Sequence, residues 1–95
     1  MSRARKVAGS TRVTRHPDTA SRTIDGEEVV VVPSTRKLQI LNEVATRIWQ
    51  LCDGRSVDEI TDAIHEEFDV GRQAARRDVI DLVEEMAGRG MVEIE

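Results

Sequence analysis

Polar and apolar positions change period along this chain, and the changes mark its elements. Lys37-Leu38-Gln39-Ile40-Leu41 alternates with period two, as a half-buried strand does. Leu41, Val44, Ala45, Ile48, Trp49 and Cys52 then recur at three- and four-residue spacing, the stripe of an amphipathic helix. Asn42 stands between the two patterns where an N-cap belongs, so the strand feeds the helix without slack. That helix is expected over Glu43 to Cys52, with Asp53-Gly54 as its stop and Gly54 in a left-handed conformation.

Upstream, Ser21 to Ile24 reads as a strand and Asp25-Gly26 is a hairpin turn. Glu27 to Val32 follows with four consecutive valines, which favour extended backbone and imply cover on both faces, helices on one and the N-terminal segment on the other. Pro33-Ser34-Thr35-Arg36 turns the chain into Lys37–Leu41, which completes a three-stranded antiparallel meander. Arg12 to Arg15 suggests a short edge strand before the His16-Pro17-Asp18 turn. Downstream, Ser56-Val57-Asp58-Glu59 is a capping-box pattern. It opens a helix whose buried side is Val57, Ile60, Ile64 and Phe68. A third helix spans roughly Arg72 to Ala87, stopped by Gly88 and Gly90, and Met91 to Ile94 suggests a short closing strand. The expected fold class is therefore α+β: a meander, then three helices, in one domain over residues 11–95 behind a flexible basic arm at 1–10.

Composition narrows the chemistry. With Trp49 and Phe68 as its only aromatics, a 95-residue chain has an aliphatic core too modest for a deep catalytic cavity. Residues 1–22 carry a net charge of +5 and residues 23–95 a net charge of −9, which together make the chain's −4. An acidic body disfavours a nucleic-acid partner, because phosphate binding needs concentrated Lys and Arg. The lone Cys52 excludes an internal disulfide, and its place on the apolar helix face makes it an inert thiol. His16 and His65 lack partners at any metal or catalytic spacing, and the carboxylate groups at 58–62 and 66–69 belong to helix ends. Trp49 reads as a core anchor. No phosphate loop, membrane-spanning run or secretion signal is present, so a cytoplasmic protein without catalytic, cofactor or metal site is expected.

Several motifs carry a resemblance. Leu41-Asn42-Glu43 with Ala45 and Ile48-Trp49, then Leu51-Cys52-Asp53-Gly54, Val57-Asp58-Glu59-Ile60, Phe68-Asp69-Val70, Arg76-Arg77-Asp78-Val79 and Gly90-Met91-Val92 resemble the PqqD family over about Asp18 to Val92. Its members are small peptide chaperones of ribosomally made, post-translationally modified peptides. The resemblance implies a winged-helix-like recognition domain. It implies that a precursor's leader segment adds as a strand to the edge of the third meander strand, in the groove facing the third helix. It also implies presentation to a partner enzyme, often a radical S-adenosylmethionine protein.

On that basis the peptide-binding residues are expected to be Lys37, Leu38, Gln39, Ile40 and Leu41 on the strand and Arg76, Ile80 and Val83 on the helix. Leu38 and Ile40 are expected to face the helices while Lys37 and Gln39 point away, and Arg76 and Lys37 to pair with acidic leader residues. The domain is expected to act as a monomer or homodimer. The alternative is a winged-helix DNA-binding protein using the same elements and the basic arm. The acidic Asp78, Asp81, Glu84 and Glu85 argue against a major-groove recognition helix.

Overall fold

The computed structural model describes residues 7–95. Residues 1–6, part of the arm expected at 1–10, lie outside them. In chain order the elements are β1 (Arg12–Arg15), β2 (Ala20–Ile24), β3 (Glu27–Val31), β4 (Leu38–Leu41), α1 (Glu43–Gln50), β5 (Asp53–Ser56), α2 (Val57–Glu67), α3 (Arg72–Gly88) and β6 (Val92–Ile94). The expected α+β order of meander and helices is present, and two antiparallel three-stranded sheets carry it: β2-β3-β4 and β5-β1-β6.

The local signals work as their chemistry dictates. Asp25 and Gly26 both take positive φ, 52° and 82°, the twist a two-residue hairpin needs between β2 and β3. The Asn42 side chain accepts from the Ala45 N–H at 2.9 Å and caps α1. Ser56 and Glu59 close a full capping box: the Glu59 N–H donates to Ser56 Oγ (3.1 Å), and the Ser56 N–H donates to Glu59 Oε1 (2.8 Å).

The second sheet is where expectation and structure part. Arg12–Arg15 is its central strand rather than an edge, between β5 and β6. Asp53-Gly54 is not a helix stop but the start of β5: α1 ends at Gln50 with Leu51 as C-cap, and the Cys52 carbonyl accepts from the Arg15 N–H at 2.9 Å. Gly54 does take positive φ (104°), within that strand. Val13, fully buried, is the one side chain by which β1 enters the core. The next residues upstream tie to α2, whose Val57 and Asp58 N–H groups donate to the Thr11 and Gly9 carbonyls at 2.9 Å each.

One continuous aliphatic core lies between the sheets and helices. It draws Val30, Val32 and Leu41 from the meander, Ile48, Trp49 and Cys52 from the first helical stretch, Val57, Ile60 and Ile64 from α2, and Ala75, Val79, Val83 and Met86 from α3. Trp49 is the core anchor expected of it. Its face lies 6.0 Å from the Arg15 guanidinium, which also donates to the Trp49 and Gln50 carbonyls at 2.8 Å each and so satisfies the C-terminal end of α1. Burial pushes the Cys52 thiol up to about 12, against the attraction of Arg15, so it is protonated at neutral pH. The valine run is covered fully on one face and partly on the other. Val30 and Val32 are buried and Val29 and Val31 partly so, while the N-terminal segment expected to cover them belongs to the other sheet.

Candidate functional site

Strand β4 pairs with β3 alone, so among the described residues its other edge is open. Which backbone groups face that edge follows from the register. Val29 opposes Ile40 and Val31 opposes Leu38, and one step further the Val32 N–H donates to the Lys37 carbonyl at 2.9 Å. Antiparallel ladders alternate bonded and non-bonded pairs, so Lys37, Gln39 and Leu41 turn their backbone groups to β3. The N–H and C=O of Leu38 and Ile40 point outward, unpaired. At the far end Thr46 from α1 reinforces this phase. Its buried hydroxyl accepts from the Glu28 N–H (2.9 Å) and donates to the Leu41 carbonyl (3.0 Å), filling the place of a ladder bond.

The side chains of β4 take the opposite phase from the expected one. Leu38 and Ile40 are 67% and 66% exposed on the outer face, while Leu41 is buried and Gln39 faces the helices. Gln39 reaches α3: its Nε2 donates to Glu85 Oε2 at 3.4 Å, and Arg89 donates to its Oε1. Alternation alone fits either phase. The phase is fixed by packing Leu41 at the α1 junction and by opposing Gln39 to the buried Val30.

The Gln39–Glu85–Arg89 bridge joins β4 to α3; Glu85 also lines a cavity between the start of α1 and α3, and Gln39 and Arg89 line a second between β4 and the end of α3. The first, about 400 Å³, is lined by Asn42, Val44, Ala45, Ile48, Asp78, Asp81, Leu82 and Glu85. The second, about 370 Å³, is lined by Val32, Ser34, Thr35, Lys37, Leu38, Gln39, Gly88 and Arg89.

The helix residues expected there are elsewhere. Val83 is fully buried in the core, Ile80 packs against that core, and Arg76 pairs with Asp58 of α2 at 2.8 Å. At roughly 100° per residue, Asp78, Asp81, Leu82 and Glu85 lie on one side of the buried stripe of α3 and Arg76 and Ile80 on the other. The sequence reading places the groove on the flank of the apolar Ile80 and Val83, whereas Gln39 of β4 meets α3 at Glu85 and Arg89. The signal that separates the flanks is the row of acids at 78, 81 and 85, which one wall of α3 keeps in water. Lys37 does line the groove, at its second cavity.

Among the described residues the edge strand β6 also borders a cavity, about 330 Å³, lined by Val92, Glu93, Ile94, His16, Gly90 and Ala87 of α3. β2 is exposed along its whole length, and the cavity touching it is small and polar, about 220 Å³ beside Ser21, Thr23 and Glu28. Among the described residues no group of three His, Cys, Asp or Glu is placed to hold a metal ion, and no helix is long and apolar enough to cross a membrane.

Comparison with known proteins gives the same architecture a family. The PqqA binding protein of Bradyrhizobium diazoefficiens is 30% identical over 66 residues, 68% of this chain; the chain spans 64% of that relative's length. Two solved structures superpose well. TbiB1 in complex with the TbiA(beta) leader peptide matches with a TM-score of 0.71 and 30% identity, over 94% of this chain and 95% of that one. Lasso peptide synthetase B1 complexed with its leader peptide matches with a TM-score of 0.72 and 27% identity, over 88% and 98%. The family model for Coenzyme PQQ synthesis protein D (PqqD) matches residues 27–92, from the start of β3 to the first residue of β6, and so takes in β4, α3 and the groove between them. The chain belongs to the PqqD family.

Proposed function

We propose that this chain binds the leader segment of a ribosomally synthesised precursor peptide by strand addition at β4 and presents it to a modifying enzyme. The observation that carries the reading is the open edge itself. The N–H and C=O groups of Leu38 and Ile40 face outward on the strand whose Gln39 meets α3 at Glu85, beside the cavities on either side of that contact. Main-chain bonds from such an edge give affinity to an extended peptide with little demand on sequence, and the flanking cavities then select side chains. Both structural relatives hold leader peptides, and the curated relative is named for binding PqqA, which supports the same role here.

In this reading Leu38 and Ile40 supply the backbone, Lys37, Gln39 and Leu41 hold the strand in register, and Asp78, Asp81, Leu82, Glu85 and Arg89 take the place of Arg76, Ile80 and Val83 as the helix wall. The role is presentation rather than catalysis, with a radical S-adenosylmethionine protein as the modifying enzyme. DNA binding through α3 is disfavoured by the row Asp78, Asp81 and Glu85 on its exposed flank, which repels phosphate.

Titrating isotope-labelled protein with the leader of the precursor encoded beside its gene tests the reading. Amide shifts should concentrate at Lys37–Leu41 and along Asp78–Arg89. Shifts confined to the N-terminal residues, or none at saturating peptide, would overturn it.

A further inference from the structure

The groove is charged in opposite senses at its two ends. At the Asn42 end Asp78, Asp81 and Glu85 line a cavity whose remaining wall is Asn42 with the apolar Val44, Ala45, Ile48 and Leu82. Asp78 and Asp81 have no ion-pair partner among the described residues, and carboxylates spaced three apart on one helix face repel each other. At the other end Lys37 and Arg89 line the second cavity. Glu85 is shared, reaching Arg89 at 3.4 Å, so the two ends meet at a neutral bridge and the outer groups on each side keep their charge.

The second cavity meets the strand at Lys37, Leu38 and Gln39 and the first meets its continuation at Asn42, three to five residues on, or roughly 10–16 Å at about 3.3 Å per residue. That exceeds the roughly 8 Å over which exposed charges act at physiological salt, so each end addresses a different guest residue. Independently of charge, the unpaired backbone of Leu38 and Ile40 fixes the guest as an extended strand whose alternate side chains enter the groove.

The geometry points to a charge-ordered guest: a peptide strand with Lys or Arg seated at the Asp78–Asp81 cavity and, about four residues away on the same face, Asp or Glu seated beside Lys37. A long cationic side chain suits the first cavity twice over, because its methylenes would cover the partly exposed Val44 and Leu82 while its head reaches the carboxylates. This inference rests on strand addition at β4 and names the class of peptide that site selects. It also orients the guest, since reversing the two charges places like against like at both ends.

Panning a displayed library of random twelve-residue peptides against the full chain tests it, with amide shifts locating each selected binder. Binders should shift Leu38–Leu41 and be enriched at least threefold for Lys or Arg four positions from Asp or Glu, in one order only. For such a binder, exchanging the two charges should weaken affinity at least twofold, since each exposed pair contributes about 1.4- to fivefold. The Asp78→Asn/Asp81→Asn variant should lose the cation enrichment while its binders still shift β4. Binders that shift β4 without any charge order, or whose order survives in that variant, overturn the inference and leave strand addition standing. Binders that shift another surface, or a library that yields none, overturn both.

Discussion

Proline substitution along β4 puts the register of the free edge to a quantitative test. In an antiparallel edge strand a proline is tolerated where the N–H faces outward and damaging where it faces the neighbouring strand. Ile40 is an outward position and Gln39 an inward one, paired with Val30. Gln39→Pro removes a ladder donor and leaves the carbonyl of the fully buried Val30 unpaired. Losing that bond costs about 0.5–1.5 kcal/mol and orphaning a buried acceptor about 1–3 kcal/mol. The sum, about 1.5–4.5 kcal/mol, is a large share of the stability of a domain this small, worth roughly 6–36 °C in Tm.

Ile40→Pro breaks no ladder bond. It should keep Tm within roughly 5 °C of the native chain, its cost limited to narrowing φ at one exposed residue. It nevertheless removes a donor that a guest strand needs and leaves the guest's carbonyl unpaired, about 1.5–3 kcal/mol or a ten- to hundredfold weaker Kd. Thermal denaturation by circular dichroism and a fluorescence titration with labelled leader peptide measure both quantities. A Gln39→Pro chain as stable as the native one would refute the register. An Ile40→Pro chain that folds and binds leader at native affinity would refute the use of this edge.

Three further outcomes follow from the same geometry. Thr46→Val keeps the shape of a buried residue but orphans the Glu28 N–H and the Leu41 carbonyl, so urea denaturation should show a loss of about 2–4 kcal/mol; a loss under 0.5 kcal/mol would mean the hydroxyl does not bridge β3 and β4. Glu59 is held below its ordinary carboxylate range, first by the Ser56 N–H and then by the Ser56 hydroxyl, so its contribution is present above the unfolded-state value and lost as pH falls through the folded one. Ser56→Ala should cost about 0.5–2 kcal/mol at pH 7, and that difference should shrink in acid denaturation series towards pH 3. Cys52 has its thiol raised to about 12, so the protonated fold is favoured below the unfolded thiol value of about 8.5 and loses stability as pH climbs from there. Labelling by a thiol reagent at pH 8 should proceed only at the rate of opening, and immediate stoichiometric reaction would contradict its burial.

What the sequence determined by itself was everything carried by neighbours a few residues apart. The Asp25-Gly26 turn, the Asn42 cap, the Ser56–Glu59 box and the three amphipathic stripes each satisfy their own backbone or bury their own face locally, so spacing and residue type are sufficient evidence. Tertiary structure decided what depends on distant partners. RVTR holds one apolar residue and becomes a central strand because β5 and β6, some 40 and 80 residues later, supply its ladder. In β4 both phases of the alternation present aliphatic side chains, and the choice fell to Leu41 through its place at the α1 junction, which leaves Leu38 and Ile40 outside. On α3 two flanks border one buried stripe, and only the hydrogen bonds of Gln39 with Glu85 and Arg89 show that β4 meets the side of Asp78, Asp81 and Glu85. A pattern of periods shows which residues share a face; which body that face meets is settled by the packing of the whole chain.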